Sequence, residues 1–352
     1  MKEKNKIKKY LIAVVAILVF AACFIPPQQK EDYNSQNKLE IVGPYGDNEA
    51  YHPKVINFND KWNGYKYWMS YTPYPQGDDT KENPCIAASN DLITWETPQG
   101  LKNPIDEPKT KKKAKLYNSD SHIVYNSDLN RMECYWRFVD DIKDKVIIYK
   151  SYSSNGVEWS KKEVAIMSNS RKKQDFISPA ILLENGTYKM WYVDVKNELK
   201  YTTSKDGVKW ETPQLINITY ADKVKTWHID VIKTEKKYEM LAVAYENWNS
   251  RNDMSLYYTS SNDGIEWKKA EAIMQPTKTT NYWDNKGIYR SSFIYEDGVY
   301  IVYYGGTKKD YHHGIGLMYG KDIYKLKGNN IDYKNKKDVE KLKSKIQKEK
   351  NI

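Results

Sequence analysis

The sequence has little of several features that mark common enzyme classes. Its 352 residues contain three cysteines, five histidines and 17 glycines. No glycine-rich loop precedes a predicted helix, and no serine or cysteine stands in a nucleophile elbow. Nucleotide chemistry and acyl transfer by a side-chain nucleophile are therefore disfavoured, and no cofactor is indicated.

The basic charge is concentrated at the two ends of the chain. Residues 1–22 carry five lysines and one glutamate, and residues 328–352 carry eight lysines and four acids. Each end thus holds +4 of the formal +10, and the body between them holds +2. A nucleic-acid-binding protein carries its charge on the folded surface, so this partner class is also disfavoured.

The first 23 residues predict export. A basic segment precedes a short apolar run, which ends at Cys23 and is too short to span a bilayer comfortably. The residues Phe20 to Cys23 resemble a bacterial lipobox, in which Cys23 becomes the lipidated first residue of the mature protein. Phe20 departs from the usual aliphatic residue, so an uncleaved anchor is the alternative. Either way, we expect the protein on the outer face of the cell membrane.

A seven-residue sequence motif, which we call the turn phrase, occurs four times in the rest of the chain. It reads Ser-x-Asp/Asn, usually Gly, then Val/Ile-x-Trp, and it occupies residues 89–95, 153–159, 204–210 and 261–267. Serine and aspartate side chains bond the backbone two residues on, and glycine accepts positive φ. Each phrase therefore predicts a hairpin turn that feeds a strand with a buried tryptophan. A period of this size, with one hairpin signature per unit, predicts a β-propeller.

The repeats define the domain organisation. A strand rich in Tyr, Trp and Met precedes each phrase, and a fifth such strand at 300–304 is followed by a degenerate phrase. We therefore predict an all-β, five-bladed propeller of four-stranded antiparallel blades over residues 38–327. A flexible tether (24–37) precedes it, and a solvated, Lys-rich helical tail (328–352) follows it.

The remaining cysteines, Cys85 and Cys134, fall in neighbouring repeats. They form either a disulfide or two small buried hydrophobes, and the sequence leaves both open.

Polar residues stand at one position of the predicted inner strands, ten residues before the second strand, or slightly more in the first repeat. They are His52, His122, Ser178, His228 and Arg290. Because inner strands line the axial channel, alternation with period two predicts that these side chains form one ring, with Asp120, Asp230 and Ser292 next to it. The alternative is that polar groups merely fill the channel.

The tandem phrases in a five-repeat chain resemble the five-bladed propeller glycoside hydrolases, the group that contains families 43, 32, 62 and 68. The resemblance covers about residues 38–327 and extends to uncharacterised bacterial members. It implies three axial acids: an Asp on each of the first two inner strands and a Glu on the third. Here these positions hold His52, Asp120 and Ser178. Only Asp120 matches, so Asp230 and Glu246 are the candidate replacement acids.

Three functions follow as hypotheses. The first is a glycoside hydrolase-like enzyme that acts on polysaccharide in the axial funnel, with Asp120, Asp230 and Glu246 as catalytic acids. The axial histidines, Ser178 and Arg290 would orient the sugar, and Trp68 and Tyr71 would stack on its rings. The second is an anchored, non-catalytic protein that binds glycan for polysaccharide assembly or capture. The third is a metal site of His52, His122 and His228. The first two need no metal, and a monomer is expected.

Overall fold

The computed structural model describes residues 34–108, 115–221, 223–246, 253–279 and 282–351. The predicted export segment and Cys23 lie outside these residues. No helix in the described part of the chain is long and apolar enough to cross a membrane.

The described strands form five antiparallel sheets, each meandering outward in chain order. Blade one contains β1 (Ala50–Trp62), β2 (Tyr65–Pro73) and β3 (Cys85–Ser89). Blade two contains β4 (Leu116–Asn126), β5 (Arg131–Asp140), β6 (Lys145–Ser153) and β7 (Glu163–Ser168). Blade three contains β8 (Ile177–Glu184), β9 (Thr187–Val193), β10 (Leu199–Ser204) and β11 (Gln214–Ile216). Blade four contains β12 (Lys225–Lys233), β13 (Tyr238–Tyr245), β14 (Ser255–Ser261) and β15 (Glu271–Met274). Blade five contains β16 (Gly287–Glu296), β17 (Val299–Thr307) and β18 (His313–Gly320).

The inner strands contact one another in a closed circuit, β1 to β4, β8, β12, β16 and back to β1. The five-bladed propeller is therefore confirmed. The prediction of four strands in every blade was wrong for blades one and five, where single bridges replace the outer strand, Ala88 with Glu96 and Tyr319 with Lys327. In blade one Pro98 interrupts pairing because it lacks an N–H. In blade five the chain turns into a short 3₁₀ helix, Ile323–Lys325.

The recurring phrase forms the predicted turns. In the second copy, Asn155 Oδ1 accepts hydrogen bonds from the backbone N–H groups of Val157 and Glu158, at 3.0 and 2.8 Å. Gly156 has φ 74°, and a Cβ there would lie 2.2 Å from the ring of Trp68 in the preceding blade. Glycine thus allows both the turn and the contact between blades.

The tail is a helix, α1 (Lys336–Lys350), that is docked on the propeller. Its apolar residues Val339, Leu342 and Ile346 are buried in the same core cluster as blades one and five. The expectation of a solvated tail was therefore wrong, because this apolar stripe finds a partner surface. The predicted tether (24–37) also extends too far toward the C-terminus. Ser35, inside this range, is buried in the fold, and its hydroxyl donates a hydrogen bond to the backbone O of Leu317.

The two cysteines of the propeller, Cys85 and Cys134, are buried and unpaired. The structure thus agrees with the second of the two alternatives, in which they act as small buried hydrophobes.

Candidate functional site

Each inner strand is interrupted by a register shift near its beginning. In three of them a non-glycine residue has positive φ: His52 (50°), Asp120 (51°) and Ser178 (54°). Such a bulge breaks the two-residue alternation of a strand and re-aims its side chains. Left-handed backbone at these residues is strained, and strain of this kind concentrates at functional sites.

One group of axial side chains forms hydrogen bonds with backbone N–H and C=O groups at the unpaired edges of neighbouring inner strands. We call Lys54, His122, Ser178, Asp230 and Ser292 the axial ring. His122 Nε2 lies 3.0 Å from the N and 2.9 Å from the O of Ile181. Ser178 Oγ lies 3.0 Å from both the N and the O of Ile229. These side chains satisfy polar groups that no β-sheet partner reaches.

The ring continues through blades four, five and one. Ser292 Oγ accepts the N–H of Val55 at 3.0 Å. Asp230 accepts the N–H of Phe293 at 3.4 Å and forms a buried ion pair with Lys54 at 2.7 Å. The ring thus joins adjacent blades at the axis, so a structural role accounts for its polarity.

A second group lies at the end of the axis where the inner strands begin. We call His52, Asp120 and His228 the axial cluster. They come from three different blades, are all buried, and each offers a ligand atom within 4.8 Å of those of the other two. Asp120 Oδ1 lies 3.5 Å from His228 Nδ1.

The contacts of His52 and Asp120 leave one atom of each available. His52 Nδ1 lies 2.8 Å from Thr72 Oγ1 and 2.9 Å from Glu82 Oε1. Asp120 Oδ2 accepts the N–H of Ser178 at 3.3 Å. Within the described residues, His52 Nε2 and Asp120 Oδ1 are buried without a hydrogen-bond partner. A buried polar atom without a partner is costly, and a bound ligand would supply the missing partner for both atoms.

The protonation states of the cluster suit a metal. Burial lowers the pKa of His52 to about 3, although Asp120 opposes the shift. Burial alone would raise the pKa of Asp120, but the charges of His228, Arg290 and His52 hold it below its usual value. Metal ions bind neutral imidazole and ionised carboxylate. The cluster offers two imidazoles, of which burial keeps that of His52 neutral, and one ionised carboxylate.

Arg290 and Glu82 flank the cluster. Arg290 is buried, and its Nη1 lies 3.8 Å from Asp120 Oδ1. Its Nε and Nη1 have no hydrogen-bond partner in the described part of the chain. Glu82 follows the 3₁₀ helix Asp79–Lys81, and burial, together with the charge of Asp120, raises the pKa of its carboxyl well above the usual value. The sequence analysis missed Glu82, because it lies in a connection and matches no strand or repeat position.

Half-buried aromatic side chains stand beside the cluster. The ring of Tyr289 lies 4.3 Å from that of His228 and 5.1 Å from that of His52. Trp227 Nε1 donates a hydrogen bond to the Tyr289 hydroxyl at 3.0 Å. The ring centroid of Tyr74 lies 6.4 Å from that of His52. The sequence offers Tyr74 as an aromatic near a strand end that could stack on a sugar, but sequence reasoning missed Trp227 and Tyr289, because they follow no repeat pattern.

Several predicted site residues lie elsewhere. Trp68 and Tyr71 are fully buried in core clusters between strands, which corrects the prediction that they stack on sugars. Asp230 belongs to the axial ring, where its carboxylate is occupied by Lys54. Glu246 is exposed in the bend after β13 and makes no contact with the cluster among the described residues.

The hypothetical three-histidine site does not form as expected. The two nitrogens of His122 face Ile181 and Arg290 Nη2, so Asp120 takes the third position beside His52 and His228.

Comparisons with known proteins agree with this architecture. No family model matches the chain. A deacetylase of Flavonifractor plautii, "A type blood N-acetyl-alpha-D-galactosamine deacetylase", is 28% identical over 324 residues, which cover 76% of this chain and 41% of that protein. The chain thus spans less than half the length of this relative.

Solved structures show the same fold. An N-acetylgalactosamine deacetylase from F. plautii, in complex with blood group B trisaccharide, matches with TM-score 0.75 and 24% identity over 82% of this chain and 95% of that one. An exo-1,5-alpha-L-arabinanase from a bovine ruminal metagenomic library matches with TM-score 0.57 and 14% identity, over 77% and 93%. An alpha-L-arabinanase of Cellvibrio cellulosa, complexed with arabinohexaose, matches with TM-score 0.56 and 12% identity, over 77% and 91%. The chain is a five-bladed β-propeller whose homologue and structural neighbours are carbohydrate-active proteins, both glycoside hydrolases and a carbohydrate deacetylase.

Proposed function

We propose that this protein is a divalent-metal-dependent carbohydrate deacetylase, which hydrolyses the N-acetyl group of an amino sugar. The axial cluster is the observation that carries the proposal, because two imidazoles and a carboxylate converge there from three blades. The similarity to a protein named as an N-acetyl-galactosamine deacetylase supports the reaction class.

The residues of the cluster fit a catalytic metal. Three N and O ligands that leave positions open are typical of catalytic zinc and of related divalent metals. The contacts of His52 Nδ1 with Thr72 and Glu82 turn Nε2 toward the cluster. A second partner of this kind fixes the ring orientation of metal-binding histidines.

The reaction adds water across an amide, breaking the C–N bond to give acetate and a free amine. A divalent cation, when bound, supplies positive charge that polarises the carbonyl and lowers the pKa of water. Glu82 Oε1 lies 2.9 Å from His52 Nδ1, so Glu82 would hold that imidazole in orientation, and the proton lost by the attacking water would pass to the leaving nitrogen. Arg290 places a buried positive charge beside Asp120 and favours the ionised carboxylate.

The surroundings suit a sugar substrate. Tyr74, Trp227 and Tyr289 are half-buried beside the cluster, and such rings offer apolar faces and polar edges to a pyranose. An amino sugar at the end of a surface glycan is thus the substrate class that we propose. The export segment predicted from residues 1–23 supports action outside the cell membrane.

The position of the acids favours deacetylation over glycoside hydrolysis. A glycosidase needs two carboxyl groups that flank the scissile bond. Asp230 is held by Lys54 and Glu246 is exposed, so the two acids predicted to join Asp120 are not in the site.

The test combines metal analysis with product analysis. We expect the purified protein to contain stoichiometric divalent metal, and to release acetate from N-acetylgalactosamine or N-acetylglucosamine glycosides until a chelator is added. His52→Ala and His228→Ala should lose both metal and activity. His312→Gln, which changes an exposed histidine outside the cluster, should keep both.

Other results would overturn the proposal in distinguishable ways. New reducing ends without acetate release would indicate a glycosidase. Retention on the glycans without any product would indicate a binding protein. A metal-free protein that still releases acetate would remove the metal from the proposal.

A further inference from the structure

Helix α1 has a buried apolar side and an exposed basic side. Its buried stripe is Val339, Leu342 and Ile346. Lys337, Lys341, Lys345 and Lys348, which we call the lysine ridge, are all exposed. They follow one another at intervals of four, four and three residues, so they lie on one side of the helix. At 3.6 residues per turn, the mean direction of this side lies about 140° from that of the buried stripe.

The fold does not use the lysine ridge. Other residues make the ion pairs between the helix and the propeller: Lys343 with Asp91, Lys350 with Glu296 and Asp297, and Glu349 with Lys327. The four ridge lysines form no ion pair with any residue that the structure describes. Like charges at i and i+4 destabilise a helix, so the ridge opposes helix formation, which suggests a partner outside the chain.

The C-terminal half of the helix contacts the end of the propeller away from the axial cluster. Asp91 belongs to the first turn phrase, and Glu296 is the last residue of β16. Arg290, beside the cluster, is near the beginning of the same strand. A strand rises about 3.3 Å per residue, so Arg290 and Glu296 are separated by about 20 Å along β16.

We propose that the lysine ridge docks on a membrane surface by binding anionic lipid headgroups. Four ammonium groups in a line of about 16 Å suit a flat anionic surface. The ridge carries no aromatic or aliphatic side chain that would insert among lipid tails, so the contact is electrostatic. Docking at this end of the propeller would direct the axial cluster away from the bilayer.

The ridge also complements the anchor predicted from the sequence. A single acyl chain binds membranes only marginally, and a polybasic surface is a common second signal. The proposal does not depend on the reaction catalysed in the axial cluster.

Vesicle co-sedimentation of the full chain tests the proposal. We compare vesicles of phosphatidylcholine alone with vesicles that also contain phosphatidylglycerol. The neutral lipid measures binding by the apolar run of the N-terminal segment, and the basic residues of that segment are the same in every variant below. Each lysine near an anionic surface adds about fivefold in affinity. The anionic lipid should thus strengthen binding by several hundredfold, an effect that salt reduces.

The decisive variant replaces Lys337, Lys341, Lys345 and Lys348 with glutamine. It should lose the preference for anionic vesicles while keeping its circular dichroism and its melting temperature. The matched control replaces Lys61, Lys102, Lys161 and Lys209, exposed lysines of the propeller, with glutamine. This control changes net charge equally and should keep the preference.

Equal binding by wild type and ridge variant would overturn the proposal. Equal losses in the two variants would also overturn it, since net charge alone would then explain the binding. Ridge-dependent binding to a soluble polyphosphate, without binding to the anionic vesicles, would assign the ridge to a different partner.

Discussion

The axial ring draws on all five inner strands and the axial cluster on three of them, and the two groups use their polar atoms differently. In the ring, His122, Ser178 and Asp230 bond the backbone or a charged neighbour on an adjacent strand. In the cluster, His52 Nε2 and Asp120 Oδ1 are buried without such partners among the described residues. Polar residues on a propeller axis are therefore not by themselves evidence of a site. The informative ones are those that the fold leaves unsatisfied.

The sharpest test of this comparison is a matched pair of Asp→Asn substitutions, of which Asp120→Asn has the largest expected effect. It removes the charge that a divalent metal needs, and metal charge stabilises a transition state by several kcal/mol, so deacetylation should fall by a factor on the order of a thousand. Steady-state kinetics and metal content measure this. Unchanged metal content together with unchanged activity would remove Asp120 from the site.

Asp230→Asn is the ring member of the pair, and we expect it to affect stability more than chemistry. It leaves Lys54 buried without its charged partner, and breaking a buried pair in this way costs about 3–5 kcal/mol. Urea denaturation should show the loss, with metal content and activity of the folded fraction retained. Full stability with lost activity would instead make Asp230 a site residue.

Two serines extend the comparison to uncharged groups. Ser178→Ala removes a hydroxyl that bonds both the N and the O of Ile229, and we expect a loss of about 1–3 kcal/mol in the free energy of unfolding. Ser121→Ala is the control, because the Ser121 hydroxyl is buried without a partner among the described residues. Its removal should leave stability nearly unchanged. Equal losses from the two substitutions would contradict the structural role of the ring.

The sequence predicted the propeller well because its evidence is local. Each turn phrase bonds within itself, and three of the four copies have glycine at the position of positive φ, as Gly156 against Trp68 illustrates. Such a pattern survives divergence of the strands around it, and four copies suffice to set the repeat.

The site was harder to predict because it depends on irregularities. Strict two-residue alternation predicted His122 in one ring with His52 and predicted Asp120 next to that ring. In the structure, the bulge at Asp120 brings its carboxylate to His52 and His228 instead. Glu82 comes from a connection between strands, so no repeat position marks it. A sequence pattern also does not distinguish a carboxylate that is paired, such as that of Asp230, from one that is not.

Glu49 is a buried carboxylate outside both the axial ring and the axial cluster. It extends the comparison between satisfied and unsatisfied carboxylates to low pH, and its substitution has the smallest expected effect. Burial alone would raise its pKa, but hydrogen bonds from the side chains of His313 and His312 and from the backbone N–H groups of Gln76 and His313 lower it to about 2. The carboxylate is thus satisfied within the fold, as in the axial ring, and should contribute to stability rather than to chemistry.

The sign of this contribution follows from the depressed pKa. Between pH 4.5 and 2 the Glu49 carboxyl is protonated in the unfolded chain but still ionised in the folded state. The contribution of Glu49 to stability is therefore complete above this window and falls as pH decreases through it. Glu49→Gln should flatten this part of the curve, and the denaturation midpoints of wild type and variant should converge toward its acid end. His312→Gln retains the carboxylate and should keep most of the slope. Identical pH profiles for wild type and Glu49→Gln would show that the hydrogen bonds do not hold the charge in the folded state, and Glu49 would then resemble the unsatisfied atoms of the axial cluster.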